Sequence, residues 1–168
     1  MTEPHLPDPE SYYPGSGGRE HPGPASVGLP KAMFDAIVAH ARAAAPNEGC
    51  GIVVGDRSAA EGGVARRWAP LRNALASPVR YAIDPDELLR LTIETDDADE
   101  VFWAIVHSHV ASPARPSPTD VRESHYPESL YLLVSLSPAD ADPVTREPGL
   151  RGWRIVDGAV HEVEVAIQ

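Results

Sequence analysis

After Leu29-Pro30 the apolar residues Met33, Phe34, Ile37, Val38 and Ala41 fall at helical spacing, which predicts one amphipathic helix ending before Pro46. Shorter apolar runs follow, and they predict strands at Gly51–Val54, around Val64–Trp68 and at Val79–Ile83. Asp84-Pro85-Asp86-Glu87 has the form of a helix start, with a capping aspartate and a proline suited to the first turn. The helix it opens carries Leu88, Leu89, Leu91, Thr92 and Ile93, an apolar side expected to face the core. Val101–Val106 is a continuous apolar run, the pattern of a central strand buried on both faces, and Leu130–Leu136 repeats it. Arg151–Val156 and Ala159–Ile167 flank Asp157-Gly158, a dipeptide that favours a two-residue hairpin. The expected class is therefore α/β (α+β), a central mixed β-sheet flanked by helices with an antiparallel end. No internal repeat is visible.

Composition changes this picture at the N-terminus. Residues 1–27 hold six prolines and four glycines with almost no aliphatic side chains. Such a segment cannot bury enough apolar area to offset an ordering cost of about 1–2 kcal/mol per residue, so it is expected to be a disordered tail, with the folded domain at 28–168. A net charge of −11 argues against nucleic acid and anionic membrane as partners, because neutralising phosphates needs clustered cations. No apolar run approaches the roughly 18–20 residues of a membrane span, and no basic-then-apolar leader opens the chain, so the expected location is cytoplasmic. Cys50 is the single cysteine and excludes an intrachain disulfide. Composition leaves the oligomeric state open.

The candidate chemistry lies just after the central strand. Histidines two apart on an extended segment point to one face, so the imidazoles of His107 and His109 can reach one ion. Seven residues separate His109 from Ser117-Pro118-Thr119-Asp120, a sequence that is also a plain helix start: serine at the cap, proline at the first position, an acid at the third. The two readings are compatible, because a helix entered through Ser117 would hold the Asp120 carboxylate still on its first turn. Three protein ligands with an open fourth position describe a hydrolytic metal site rather than a closed structural one. Cys50 invites a nucleophilic reading, but nothing near it in sequence would lower its pKa, and a small buried residue at a strand start is the simpler alternative. Ser108 should point away from the histidines and bond either the backbone or a group that supports the ligands, and Asn73 fits either a substrate-positioning role or an Asx turn. His40, His125 and His161 lack ligand spacing.

The joint pattern His-x-His-x7-Ser-x2-Asp resembles the signature of the JAMM (MPN+, Mov34/MPN/PAD-1) metallopeptidases, which also require an upstream glutamate. Spacing does not choose that glutamate, since Glu61, Glu87 and Glu94 share its type. The resemblance selects Glu48 in Glu48-Gly49-Cys50-Gly51, directly before the apolar run that ends at Gly55. With Tyr81-Ala82-Ile83-Asp84 and Arg154-Ile155-Val156-Asp157-Gly158, that segment is similar to the compact bacterial Mec-like subgroup, the sulfur-carrier-protein-cysteine hydrolases. His107-Ser108-His109-Val110 departs from the His-Asn-His-Pro form of the DNA-repair-like relatives. The resemblance implies a cytidine-deaminase-like MPN/JAB domain with Zn2+ on His107, His109 and Asp120. Glu48 would be the general base and Ser117 the oxyanion donor. It further implies a ubiquitin-like sulfur-carrier protein with a Gly-Gly C-terminus as partner, relieved of an attached cysteine in cysteine biosynthesis. Two alternatives stand beside it: a broader isopeptidase or deconjugase of ubiquitin-like modifiers, and a noncatalytic MPN scaffold.

Overall fold

The structure is a computed structural model that describes residues 23–168. In chain order the elements are β1 (Ser26–Leu29), α1 (Lys31–Ala44), β2 (Cys50–Gly55), β3 (Ala65–Leu71), α2 (Pro85–Asp97), β4 (Val101–His109), α3 (Pro118–Arg122), β5 (Leu130–Ser135), β6 (Gly149–Val156) and β7 (Ala159–Ile167). The strands form one mixed sheet in the order β1-β7-β6-β5-β4-β2-β3. β4 lies antiparallel to β2 and parallel to β5, and every residue from Trp103 to His109 is buried. A strand flanked on both edges and both faces is what the continuous apolar run requires.

Two cores cover the two faces of the sheet. Met33, Phe34, Ile37, Val38 and Ala41 of α1 pack with Val53, Ala104, Val106, Leu132 and Val134 on one side. On the other, Ile52, Val54, Ile105, Tyr131, Leu133 and Trp153 meet Leu91 of α2. The pairing of β2 with β4 shifts between Val53 and Val54, which pair with Ala104 and Phe102 and leave Trp103 as the extra residue. This bulge resets the alternation, so that Ile105, His107 and His109 share the α2 side while Ala104, Val106 and Ser108 face α1.

The β6–β7 hairpin turns at Asp157 and Gly158, both at positive φ (51° and 79°), the geometry that the Asp-Gly signal anticipates. Two expected features differ. Val79–Ile83 is not a strand and makes only an isolated bridge from Ile83 to Asn73; Val79 is 75% exposed. The Asn73 amide is the reason, since its oxygen accepts the N–H groups of Leu75 and Ala82 and its nitrogen donates to the Arg80 carbonyl, replacing ladder partners with one side chain. Of the α2 apolar side, only Leu91 is buried and Leu88 half-buried, whereas Leu89 and Ile93 are more than half exposed. The helix rests on the sheet through one narrow line of contact, so its apolar arc is wider than the surface available to cover it.

The expected tail lies outside the described residues up to residue 22. Its last residues are not free: Ser26 and Val27 open β1, which pairs in parallel with β7, and Leu29 is fully buried. Backbone pairing to a sheet edge orders them despite their poor apolar content, a contribution that composition does not register. No helix among the described residues is long and apolar enough to cross a membrane.

Candidate metal centre

β4 delivers His107 and His109 to its C-terminal end, and α3 brings Asp120 to meet them. The helix start forms as its sequence requires. Ser117 Oγ accepts the Asp120 N–H at 3.1 Å, and the Ser117 N–H donates to Asp120 Oδ2 at 2.6 Å, a reciprocal capping box. One aspartate oxygen pair therefore both closes the helix start and faces the imidazoles.

The three side chains form a cluster able to hold a metal ion. His107 Nε2 lies 3.2 Å from His109 Nε2 and 3.2 Å from Asp120 Oδ1, and His109 Nε2 lies 3.4 Å from Asp120 Oδ2. Ligands at roughly 2.0–2.1 Å from a tetrahedral ion are separated by about 3.3 Å, the length of the His107–His109 contact and of each contact that the two imidazoles make to different oxygens of Asp120. His109 Nδ1 is 2.8 Å from the Pro113 carbonyl, and donation there leaves the Nε2 lone pair for the ion. His107 Nδ1 is buried without a hydrogen-bond partner; the ring is held by stacking on Tyr81 at 4.3 Å and 21°. Tyr81 is the contact that the motif does not reveal. Its only trace in the sequence is its place in Tyr81-Ala82-Ile83-Asp84.

Glu48 reaches the same neighbourhood from the start of β2. Cys50 pairs with His107, which sets Gly49 opposite Ser108 and Glu48 near the end of β4. Gly49 N–H donates to Ser108 Oγ at 2.8 Å and Ser108 N–H to the Gly49 carbonyl at 2.9 Å. Ser108, turned away from the imidazoles, thus fixes the peptide beside Glu48. A Cβ at Gly49 would sit 3.3 Å from Ala41 Cα, so glycine lets α1 approach this segment. The Glu48 N–H donates to the Ser77 carbonyl at 2.8 Å, and its own carbonyl accepts from Asn73 Nδ2 at 3.0 Å. Asn73 therefore ties the backbone of Glu48 to the loop that carries Tyr81.

The electrostatics divide the four groups. Burial raises the Glu48 carboxyl to about 7; His109 pulls it down and Asp120 adds to the rise. Burial acts to raise Asp120 too, but hydrogen bonds from His107 and His109 outweigh it and hold the carboxyl well below its ordinary range. Burial lowers His107 despite the pull of Asp120. For His109 burial is again the largest influence, yet Asp120 and the Pro113 carbonyl together overcome it and raise the imidazole.

Comparison with known proteins decides the family. Residues 30–156 match the family described as prokaryotic homologs of the JAB domain. The chain belongs to that family. It is 42% identical over 135 residues to the CysO-cysteine peptidase of Mycobacterium tuberculosis, covering 80% of this chain and 86% of the relative. A desampylase of Haloferax volcanii is 34% identical over 106 residues, or 60% of this chain and 74% of that one. The solution structure of a protein from Desulfitobacterium hafniense superposes with a TM-score of 0.71 at 33% identity, over 84% of this chain and 92% of its own. This JAB-domain protein is a hydrolase of the peptidase class.

Cys50 and His40 make packing and hydrogen-bond contacts away from the cluster. Cys50 is buried, its Sγ donates to the Leu71 carbonyl at 3.6 Å, and burial pushes its thiol up to about 12, the opposite of an activated nucleophile. His40 contacts the Cys50 carbonyl at 2.9 Å and packs edge-on against Trp68. Neither His40, His125 nor His161 joins the cluster.

Proposed function

We propose that this JAB-domain protein is a zinc-dependent hydrolase that cleaves the peptide bond between the C-terminal glycine of a ubiquitin-like sulfur-carrier protein and an attached cysteine. The observation that carries it is the cluster of His107, His109 and Asp120, whose ligand atoms all lie within 4.8 Å of one another, beside a Glu48 whose carboxyl burial raises to about 7. A zinc ion on those ligands supplies a Lewis-acidic centre that acidifies water and polarises the scissile carbonyl. Glu48 accepts the water proton as the carbonyl is attacked and returns it to the departing amine. Ser117 uses an acceptor lone pair for the helix cap, so its O–H proton is free to donate to the developing oxyanion. Capping and oxyanion stabilisation draw on different ends of the same hydroxyl. Ser117→Ala is expected to slow turnover by about 10²–10³ while lowering stability by only about 1 kcal/mol; unchanged kcat in a folded variant would remove it from the reaction.

The name of the mycobacterial relative, a CysO-cysteine peptidase, supports the substrate. A cavity of about 460 Å³, lined by Tyr81, Ile105, Tyr126 and Tyr131, is linked to the His107 ring through Tyr81, which stacks on it, and offers room for an extended carrier tail. The reaction belongs to cysteine biosynthesis in the cytoplasm. The test is mass spectrometry of a Gly-Gly-ended carrier bearing a C-terminal cysteine after incubation with zinc-loaded protein. Free cysteine is the expected product, released much faster from the folded carrier than from a short Gly-Gly-Cys peptide, because a few main-chain hydrogen bonds contribute only about 0.5–1.5 kcal/mol each. Equal kcat/KM for the two would show that the carrier body is not recognised. The desampylase relative favours a second reading, a broader deconjugase. Faster release of a carrier joined to a protein lysine than of one joined to cysteine would select it.

A further inference from the structure

We infer that Asn73 and Ser108 are positioning residues that clamp the Glu48–Gly49 peptide from its two ends and thereby set where the Glu48 carboxylate stands. The inference rests on the proposed function, in which Glu48 is the base, and names what holds that base in place. Glu48 lies two residues before β2, and neither its N–H nor its C=O has a partner on a strand. The N–H donates to the Ser77 carbonyl at 2.8 Å, and the C=O accepts from Asn73 Nδ2 at 3.0 Å. A trans peptide is planar, with its C=O and N–H pointing in opposite directions. In the Glu48–Gly49 unit the Asn73 amide holds the C=O end, and Ser108 Oγ holds the N–H end at 2.8 Å. Rocking of that plane changes ψ of Glu48 and swings its side chain relative to the histidines, and it breaks one of the two bonds. Ser108 stands in β4 between His107 and His109, so the clamp refers the base to the strand that carries two of the ligands.

The Asn73 amide has nothing left for a substrate. Its Nδ2 also donates to the Arg80 carbonyl at 3.0 Å, and its Oδ1 accepts the N–H groups of Leu75 and Ala82, both at 3.1 Å. Both donors and both acceptor lone pairs are therefore used. The bond from Leu75 is the Asx turn that the sequence allows, whereas direct positioning of a substrate would need a donor that the amide no longer has. A role confined to the loop would end with the bonds to Leu75, Arg80 and Ala82. The fourth bond leaves the loop and reaches the base. Around it the chain has little else to fix it: Ala74, Leu75, Ala76, Pro78, Val79 and Arg80 are all exposed. One side chain thus closes the loop on itself and holds the carbonyl of Glu48.

The test is a double-mutant cycle on the zinc-loaded protein. Asn73→Asp keeps the acceptor that closes the loop and loses the donor to Glu48, while Ser108→Ala opens the other end of the clamp and adds no charge. Each is expected to lower kcat by about 10–10²-fold, the scale of a misplacement of about 1 Å, on whichever of the cysteine and lysine adducts the protein releases faster. Zinc content and KM should stay near wild type. In the Glu48→Gln background neither substitution should lower the residual rate further, because a residue that acts through Glu48 has nothing to position once the base is gone. Additive losses overturn the clamp. So does a loss confined to Asn73→Asp, which would assign the effect to the new charge, and so does wild-type kcat in Asn73→Asp. Amide hydrogen exchange in the metal-free protein needs no turnover: the Glu48 and Gly49 N–H groups should exchange faster in both variants, and unchanged protection overturns the clamp. A protein that releases neither adduct yet shows this faster exchange retains the clamp and loses only the proposed reaction.

Discussion

Glu48→Gln is expected to keep a full complement of metal and to lose turnover by about 10²–10⁴-fold, the usual contribution of a positioned general base. Glutamine is nearly isosteric, and the bonds that locate residue 48 run through its backbone, to Ser77 and Asn73, so the substitution leaves the segment in place. It removes only the capacity to take a proton. Wild-type kcat in a metal-loaded variant would take Glu48 out of the mechanism. The same substitution has a second consequence, opposite in sign. The folded pKa of about 7 exceeds the ordinary 4.5, so between these values the folded state holds a proton that the unfolded chain has released. Stability of the metal-free protein therefore falls as pH rises from about 4.5 to 7 and stays lower above it. Metal-free Glu48→Gln lacks this penalty and should be more stable than wild type at pH 8, by up to about 2 kcal/mol once solvent screening is allowed for. Denaturant titrations of both proteins at pH 5 and pH 8 check this; a stability difference that does not change between the two pH values would contradict the buried-carboxylate description.

Removing a ligand should act on the metal instead. His107→Ala and Asp120→Ala are each expected to lower zinc affinity by more than about 10²-fold, because two remaining donors leave a tetrahedral ion under-coordinated. Elemental analysis after dialysis against a weak chelator reads the loss, and full occupancy in both variants would refute the ligand assignment. Asp120→Ala also opens the capping box at Ser117, worth about 1 kcal/mol, so a lower melting temperature alone does not report on metal. Asp120→Asn separates the two effects. Its amide oxygen can still accept the Ser117 N–H, keeping α3, while the lost charge weakens the ion.

Much of this site could be read along the chain because its parts are local. The bracketing of His107 and His109 by a buried strand, the Ser117 cap and the Asp157-Gly158 turn depend on residues a few positions apart, where spacing and backbone preference act directly. The failures share the opposite character. Val79–Ile83 has strand composition, yet the amide of Asn73 takes the partners a strand would need. Leu89 and Ile93 have core composition, yet the sheet offers α2 too narrow a line of contact.

The sequence by itself determined the His107-x-His109 and Ser117-x2-Asp120 pattern, the helix start that steadies Asp120, the two-sided burial of β4 and, through its resemblance, the family. Tertiary structure decided the rest. It placed Glu48 beside a histidine pair nearly sixty residues away by pairing Cys50 with His107, and it set the face of the histidines through a one-residue bulge at Trp103. It stacked Tyr81 on His107 and ordered Ser26 and Val27 on the edge of β7. Each of these is a contact between segments distant in the chain. Its energy depends on what the fold brings opposite, which no local pattern of residues contains.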